Sequence, residues 1–420
     1  QRLFRRLAVF VGGWTLDVAE AVCGEAVLDG LQALLDQSLI QQDEGLGGEP
    51  RFRMLETLRE YALEQLQASG ECDTLRRQHA IYFGNAIRAL APHDDQVYND
   101  PRVHLQMDTE FDNLRAALLW AIEQREAEIG LWISSHGLAH RPAAPLHERL
   151  VWMETILTLD DVAARHATLA ARAAARHQAG WSAGLLGMYD RAHTHFLAFL
   201  ALCQELAEKP RIATAYRALG WMLLARGSAA EASAACTQSL ALSRAINDAF
   251  GIAWSQSDLG YQMFLRGDVI QAEQLLTESL ARFRSQGYVH GIANTCHHLG
   301  HLARTQGQNE LADRWYHECL IQQRPPSFVV GISVSSAIES IAGLCVGQGR
   351  ASEAARLLGA AARVREHIGV LPVPHYRVYY ESDVAAVRAK LSEEAFVMAW
   401  ERGHTLTLEQ AVAEALQLKV

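Results

Sequence analysis

Four glycines stand forty residues apart, Gly180, Gly220, Gly260 and Gly300, and each is followed seven residues later by another, Gly187, Gly227, Gly267 and Gly307. A looser fifth copy lies at Gly343 and Gly349. Self-similarity at such a period marks a helical solenoid, in which each unit buries its apolar face against its neighbours. The first glycine follows Leu or Ala, as in Leu219-Gly220, Leu259-Gly260 and Leu299-Gly300, and so sits inside a helix A. There it costs about 1 kcal/mol against alanine, so its fourfold return needs a packing reason. The pattern nominates a close approach to Ala192, Ala232, Ala272 and Ala312 on the following helix B. The second glycine is expected to close helix A in the left-handed conformation that a Cβ disfavours.

Directly after the first glycine runs a second column, Trp181, Trp221, Tyr261 and His301. The pattern is that of tetratricopeptide repeats, lengthened from about 34 residues to forty by longer helices or loops. In such arrays this column faces a concave groove, together with His177, Arg217, Ser257 and His297 four residues earlier and Gly184, Leu224, Phe264 and Arg304 three later. An aromatic groove with Arg and His donors suits an extended peptide, a partner helix or a small ligand. Stacking of repeats also demands such a stripe, so these side chains could instead fill the inter-repeat core.

Before the repeats the pattern changes. Residues 2–11 read as one buried helix ended by Gly12-Gly13, Thr15 as the N-cap of a helix through Cys23, and 28–37 as a helix with an apolar stripe over 27–35. Two extended runs, 38–42 and 51–55, flank the Gly-rich stretch 43–50 as a hairpin, and a helix follows over 56–68. Helices, a hairpin and a helix describe a winged helix. Its helix before the wing carries Asp29 and Asp36 and neither Lys nor Arg, which would present carboxylates to a polyanion. The electrostatics argue for a packing module over a DNA reader.

Three stretches of this region, Leu3-Phe4-Arg5-Arg6-Leu7-Ala8-Val9-Phe10-Val11-Gly12-Gly13-Trp14, then 31–39, then 51–62, resemble the winged-helix segment that follows the nucleotide-binding domain in bacterial STAND ATPases. These are AfsR-like and LuxR-type regulators with an NB-ARC-like motor and a tetratricopeptide sensor. Phe111-Asp112-Asn113-Leu114-Arg115-Ala116-Ala117-Leu118 and the tail from Glu394 through Trp400 to Ala415 resemble the same proteins. The resemblance implies a winged helix that packs on the nucleotide domain and transmits its state. No P-loop accompanies it here: the only lysines are Lys209, Lys390 and Lys419, and none follows a glycine. Any ATPase domain is therefore expected before Gln1, and any C-terminal helix-turn-helix after Val420.

Rival chemistry is limited. His290, His297, His298 and His301 cluster beside Cys296, and His297 and His301 share a helix face at zinc-compatible spacing. A zinc-protease motif would want Glu directly after the first histidine, where His298 stands, so surface and groove histidines are the plainer account. No GxSxG elbow or recognisable cysteine nucleophile occurs. Seven cysteines without a CxxC pair fit buried thiols in a reducing cytoplasm, the net charge of −10 gives no basic footprint, and no apolar run is long enough to span a bilayer.

The expected architecture is mainly α: a winged-helix module over 1–70, a connecting helix and linker over 71–100, tetratricopeptide-like repeats forming a right-handed superhelical α-solenoid over 101–368, and capping helices over 369–420. Within the last region Pro372, Pro374 and 376–380 are expected to interrupt the array, with final helices over 392–402 and 407–416. The expected function is non-enzymatic: a cytoplasmic sensor and relay arm that binds a protein, peptide or small-molecule inducer, contacts its own upstream nucleotide-binding domain, and holds no metal or cofactor itself. Oligomerisation on activation fits this reading. The candidate groove residues are His177, Trp181, Arg217, Trp221, Ser257, Tyr261, Phe264, His297, His301 and Arg304. A stand-alone scaffold, and a metal-dependent enzyme built on the 290–301 histidines, are the alternatives.

Overall fold

The computed structural model describes every residue except 25–26, 91–100, 139–144, 163–166, 323–327 and 419–420. The linker expected at 91–100 and the break expected at 141–144 lie outside the described residues. Two compact units emerge, Gln1–Arg141 with Val151–Ala175, and Pro142–Leu150 with Arg176–Val420.

The first unit contains α1 (Arg2–Leu7), β1 (Trp14–Thr15), α2 (Leu16–Cys23), α3 (Leu28–Asp36), β2 (Gln41–Glu44), β3 (Pro50–Arg53), α4 (Glu56–Ala68), α5 (Cys72–Leu90), α6 (Pro101–Thr109), α7 (Phe111–Gln124), α8 (Ala127–Trp132) and most of α9 (Leu146–Asp161). The strands form an antiparallel sheet in the order β1-β3-β2, with Trp14 opposite Phe52 and Gln42 opposite the same residue on the other side. This is a winged helix with a third short strand that the sequence pattern did not reveal.

Two boundaries differ from expectation. The first helix stops at Leu7 instead of reaching residue 11, and the N–H groups of Ala8, Val9 and Phe10 bond three residues back. Leu7, Ala8, Val9 and Phe10 are all buried, and four successive side chains cannot share one helical stripe, so the backbone tightens to turn them all inward. The wing strand starts at Gln41 instead of Ser38. Ser38 is left-handed at φ 57°, and the bonds Ser38 N–H to Leu35 and Leu39 N–H to Leu34 use these residues to cap α3.

Asn113 ties this unit together. Its side-chain oxygen accepts from Val11 N–H at 2.8 Å, and its amide donates to the Gly13 carbonyl and to Glu110, each at 2.8 Å. Arg51 of the wing pairs with Glu110 and donates to the same Gly13 carbonyl at 3.1 Å. The Gly12-Gly13-Trp14 and Phe111-Asp112-Asn113 stretches, a hundred residues apart, are thus one contact. Asn113→Leu keeps the branched shape and strands buried polar partners, so it is expected to cost about 3 kcal/mol. Chemical denaturation, with hydrogen exchange of α5 and α7 reporting on this unit, checks it; a change within about 0.5 kcal/mol would reject this role.

The second unit begins in α10 (Leu169–Leu185) and continues through α11 (Tyr189–Glu205), α12 (Lys209–Ala225), α13 (Ala229–Ala245), α14 (Ala249–Leu265), α15 (Val269–Gln286), α16 (Val289–Thr305), α17 (Asn309–Gln322), α18 (Phe328–Gly347), α19 (Ala351–Ile368), α20 (Pro374–Arg388), α21 (Glu393–His404) and α22 (Leu408–Gln417). From α10 to α17 a helix starts every twenty residues, so the forty-residue ruler is two equal halves and the extra length lies in the helices. At each second glycine the same cap recurs. Gly187, Gly227, Gly267, Gly307 and Gly349 have φ between 74° and 85°, and the residue after each bonds five residues back, as Ser228 does to Leu223. A matching turn closes α11, α13 and α15, with Ala207, Asn247 and Gly287 left-handed. Only one of these three is glycine, which hid the second turn from the sequence.

The first glycine's partner differs from the expected alanine. A Cβ on Gly180 would lie 2.5 Å from the Phe196 ring, and on Gly260 3.0 Å from Leu276. Gly220 and Gly300 stand equally against Cys236 and Tyr316. The nearest opposing residue is therefore four beyond the alanine, one turn further along helix B, although at Gly220 the Ala232 carbonyl also lies close, at 3.2 Å. The alanines 192, 232, 272 and 312 are fully buried.

At the C-terminal end Ser392 caps α21, and Thr407 with Gln410 forms a capping box for α22. Gly359 and Gly403 let α19 and α21 meet backbone against side-chain-free backbone. The expected interruption is confined to residues 369–373, since Pro374 opens α20 at its first turn, where its missing N–H costs nothing. Among the described residues no helix is long and apolar enough to cross a membrane.

Candidate functional site

Helices α12, α14, α16 and α18 are the A helices of successive repeats and lie side by side. The glycine at each mark and the helical period place the three candidate columns on their shared face. Packed on that face is α20, which touches α12 and α18 and also α19. The two halves of the face differ accordingly.

At the N-terminal half, Trp181 and Trp221 are half-buried, with ring centroids 4.6 Å apart. Gly184 makes room for this pair: a Cβ there would be 2.6 Å from the Trp221 ring. His177 is buried, accepts from Trp181 Nε1–H at 2.9 Å, and lies 4.7 Å from the Phe199 ring of its own helix B. Arg217 sits 5.1 Å above the Trp254 ring and 4.0 Å from Asp258. Burial raises the Asp258 carboxyl to about 6, against the pull of Arg217.

At the C-terminal half, Ser257, Tyr261, Phe264, His297 and His301 are all buried. His298 links α14 to α20, with Nδ1 3.3 Å from Ser257 Oγ and Nε2 2.7 Å from Tyr376 Oη. The Tyr261 ring stacks on His298 at 4.2 Å, and the Tyr376 ring stacks on His301 at 5.6 Å. His301 Nε2 is 3.2 Å from His297 Nε2, whose ring nitrogen also lies 3.2 Å from Ser340 Oγ. Tyr379 stands edge-on to His301 at 4.7 Å. Arg304 closes the row with a two-pronged pair to Asp383 of α20, one prong at 2.9 Å.

Burial keeps this cluster neutral. It pulls His297 down to about 4 and His375 down to about 3, drives His298 and His301 well below the ordinary imidazole range, and pushes the Tyr261 phenol well above its own. The histidines are engaged with Ser, Tyr and one another, and among the described residues no group of three or more His, Cys, Asp or Glu is arranged to hold a metal ion. All seven cysteines are free thiols.

All ten candidate residues therefore lie along one face, but six of them, Ser257, Tyr261, Phe264, His297, His301 and Arg304, lie in the buried part that α20 packs against. Sequence reasoning named His298 only within the histidine cluster and gave no role to His375, Tyr376, Tyr379 or Asp383. The signal for the α20 residues was an amphipathic spacing of Tyr376, Tyr379 and Asp383, masked by the prolines before it.

Leu28, Asp29, Gln32, Ala33 and Asp36 form the exposed face of α3, and the wing arginines Arg51 and Arg53 are paired with Glu110 and Asp43.

Known proteins resemble parts of this chain. Residues 1–67 match the winged helix-turn-helix domain family. The "Putative HTH-type transcriptional regulator Rv0890c" of Mycobacterium tuberculosis is 39% identical over 169 residues, which is 37% of this chain and 18% of that protein. "Uncharacterized protein Rv0894" of the same organism is 35% identical over 99 residues, 21% of this chain and 24% of its own. Among solved structures, a STAND protein with a tetratricopeptide repeat sensor from Pyrococcus horikoshii aligns over 94% of this chain and 64% of its own, at 12% identity and a TM-score of 0.47. Apo RapI aligns over 67% and 94%, at 11% identity and a TM-score of 0.45. The chain thus carries an N-terminal winged helix-turn-helix domain, is similar over part of its length to proteins named as transcriptional regulators, and matches less than a fifth of the length of the first of them.

Proposed function

We propose that this chain is the sensor and relay arm of a STAND-type transcriptional regulator in the cytoplasm, catalysing nothing itself and holding no cofactor. A protein, peptide or small-molecule inducer binds the A-helix face, and its binding biases the winged helix and, through it, an ATPase domain outside this sequence. The observation that carries the reading is the row of A helices itself: a half-buried Trp181–Trp221 pair at one end and, further along, a polar aromatic cluster that already holds a helix. A winged helix whose exposed α3 face is acidic supports a protein-facing relay over a DNA reader.

The test uses the full-length protein. Trp181→Ala with Trp221→Ala is expected to change its ATP hydrolysis, or the transcripts its host makes, by at least about threefold, the scale of a 0.7 kcal/mol coupling change. The melting temperature should fall by only a few degrees. Unchanged hydrolysis and transcripts in a folded double variant would sink the reading, as would a reading frame that starts shortly upstream of Gln1 without a P-loop. The latter result favours a stand-alone scaffold. Tight duplex binding by this chain alone would overturn the protein-facing role of the winged helix.

A further inference from the structure

The A-helix face is occupied in part by the chain's own α20, and this occupancy defines a ligand class. We propose that α20 is a displaceable resident of the binding face, and that the site takes a helical peptide presenting two tyrosines three residues apart followed by an aspartate seven after the first. The inference rests on reading this face as the binding site and adds what it recognises.

The anchors follow helix spacing. Tyr376, Tyr379 and Asp383 stand at i, i+3 and i+7 and reach His298 and His301, then His301 again, then Arg304. The partners are members of the candidate columns and their neighbour on α16. Arg377, Val378 and Glu381 on the opposite side of α20 are exposed, while further along the helix Val387 is buried in the core. The fifth mark of the ruler belongs to the same contact: Gly343 stands against Asp383 and Arg304, where the other marks stand against a helix B. A side chain at this position would collide with the ion pair.

The contact is also incompletely bonded. Tyr261 Oη, His301 Nδ1 and His375 Nδ1 are buried at it without hydrogen-bond partners among the described residues. Polar groups left so return none of their desolvation cost, which marks a contact that a better-matched occupant can replace. Tethering through residues 369–373 raises the effective concentration of α20 and keeps it seated until such an occupant arrives.

The test uses the 420-residue chain and a fluorescein-labelled peptide with the sequence of residues 371–390. Tyr376→Ala with Asp383→Ala is expected to empty the face and to bind the peptide at least tenfold more tightly than the unsubstituted chain. Adding Arg304→Asp should remove that gain, and a peptide carrying Arg at the position of Asp383 should restore it. Hydrogen exchange must show α14 and α16 still protected in the opened variant. Failure of a protected, opened variant to bind the peptide overturns the proposal. So does loss of protection throughout the repeats, which would make α20 an obligatory part of the core. Neither result bears on the ATPase and transcript test above, which uses other residues and the full-length protein.

Discussion

Replacing Gly300 with valine is expected to unfold the C-terminal repeats or to cost more than about 3 kcal/mol, the largest effect of any single substitution considered for this chain. A Cβ at that position would collide with the edge of the Tyr316 ring, which is fully buried between α16 and α17 and cannot swing out to solvent. Relief would require the two helices to separate, and α16 also carries the histidines and Arg304 of the candidate site. Gly307→Ala supplies the contrast. It has φ 74° and open space around a Cβ, so only backbone strain opposes the change, at about 1 kcal/mol. Urea denaturation of the two variants checks the order. Equal costs would show that conformation, and not packing, requires the first glycine of each pair.

Acidification is expected to loosen the same region. His297, His298, His301 and His375 have folded-state values depressed below the ordinary 6.5, so the unfolded chain binds more protons than the folded one between that value and the folded values. Their contribution is complete above about pH 6.5 and is lost as the pH falls toward about 4, where His297 titrates. A shift of the size found for His297 corresponds to about 3 kcal/mol, a large part of a typical stability of about 5 to 15 kcal/mol. The four rings touch, so their contributions do not simply add. Asp258, raised to about 6, acts in the opposite direction as one group against four. His79 and His290, each near 4, act with the cluster. Denaturant midpoints measured between pH 7 and pH 4.5 should fall steadily, with exchange of α20 amides rising first. Constant midpoints over that range would refute the neutral, buried cluster.

Much of the fold was legible because its determinants are local. A glycine that caps a helix in the left-handed conformation and a glycine that admits a neighbouring helix leave marks at fixed spacing whatever the rest of the chain does. The partner of the second kind was misjudged by one turn, Phe196, Cys236, Leu276 and Tyr316 in place of the alanines, because which side chain meets a helix across a gap depends on the separation of the two axes. The wing strand was misplaced for a related reason. Ser38 takes a left-handed cap that its sequence does not advertise.

The candidate site divides along the same line. The columns Trp181 to His301 and His177 to His297 follow from the period alone, and they do lie on one face. That α20 rests on this face, that Asp383 answers Arg304 seventy-nine residues away, and that Tyr376 reaches His298 could not be read from any window of sequence. Helix caps and repeat periods are settled by neighbours a few residues distant, so a local window is enough to place them. What occupies the face was decided by tertiary structure, since two segments far apart in the chain meet only when every helix between them has been placed.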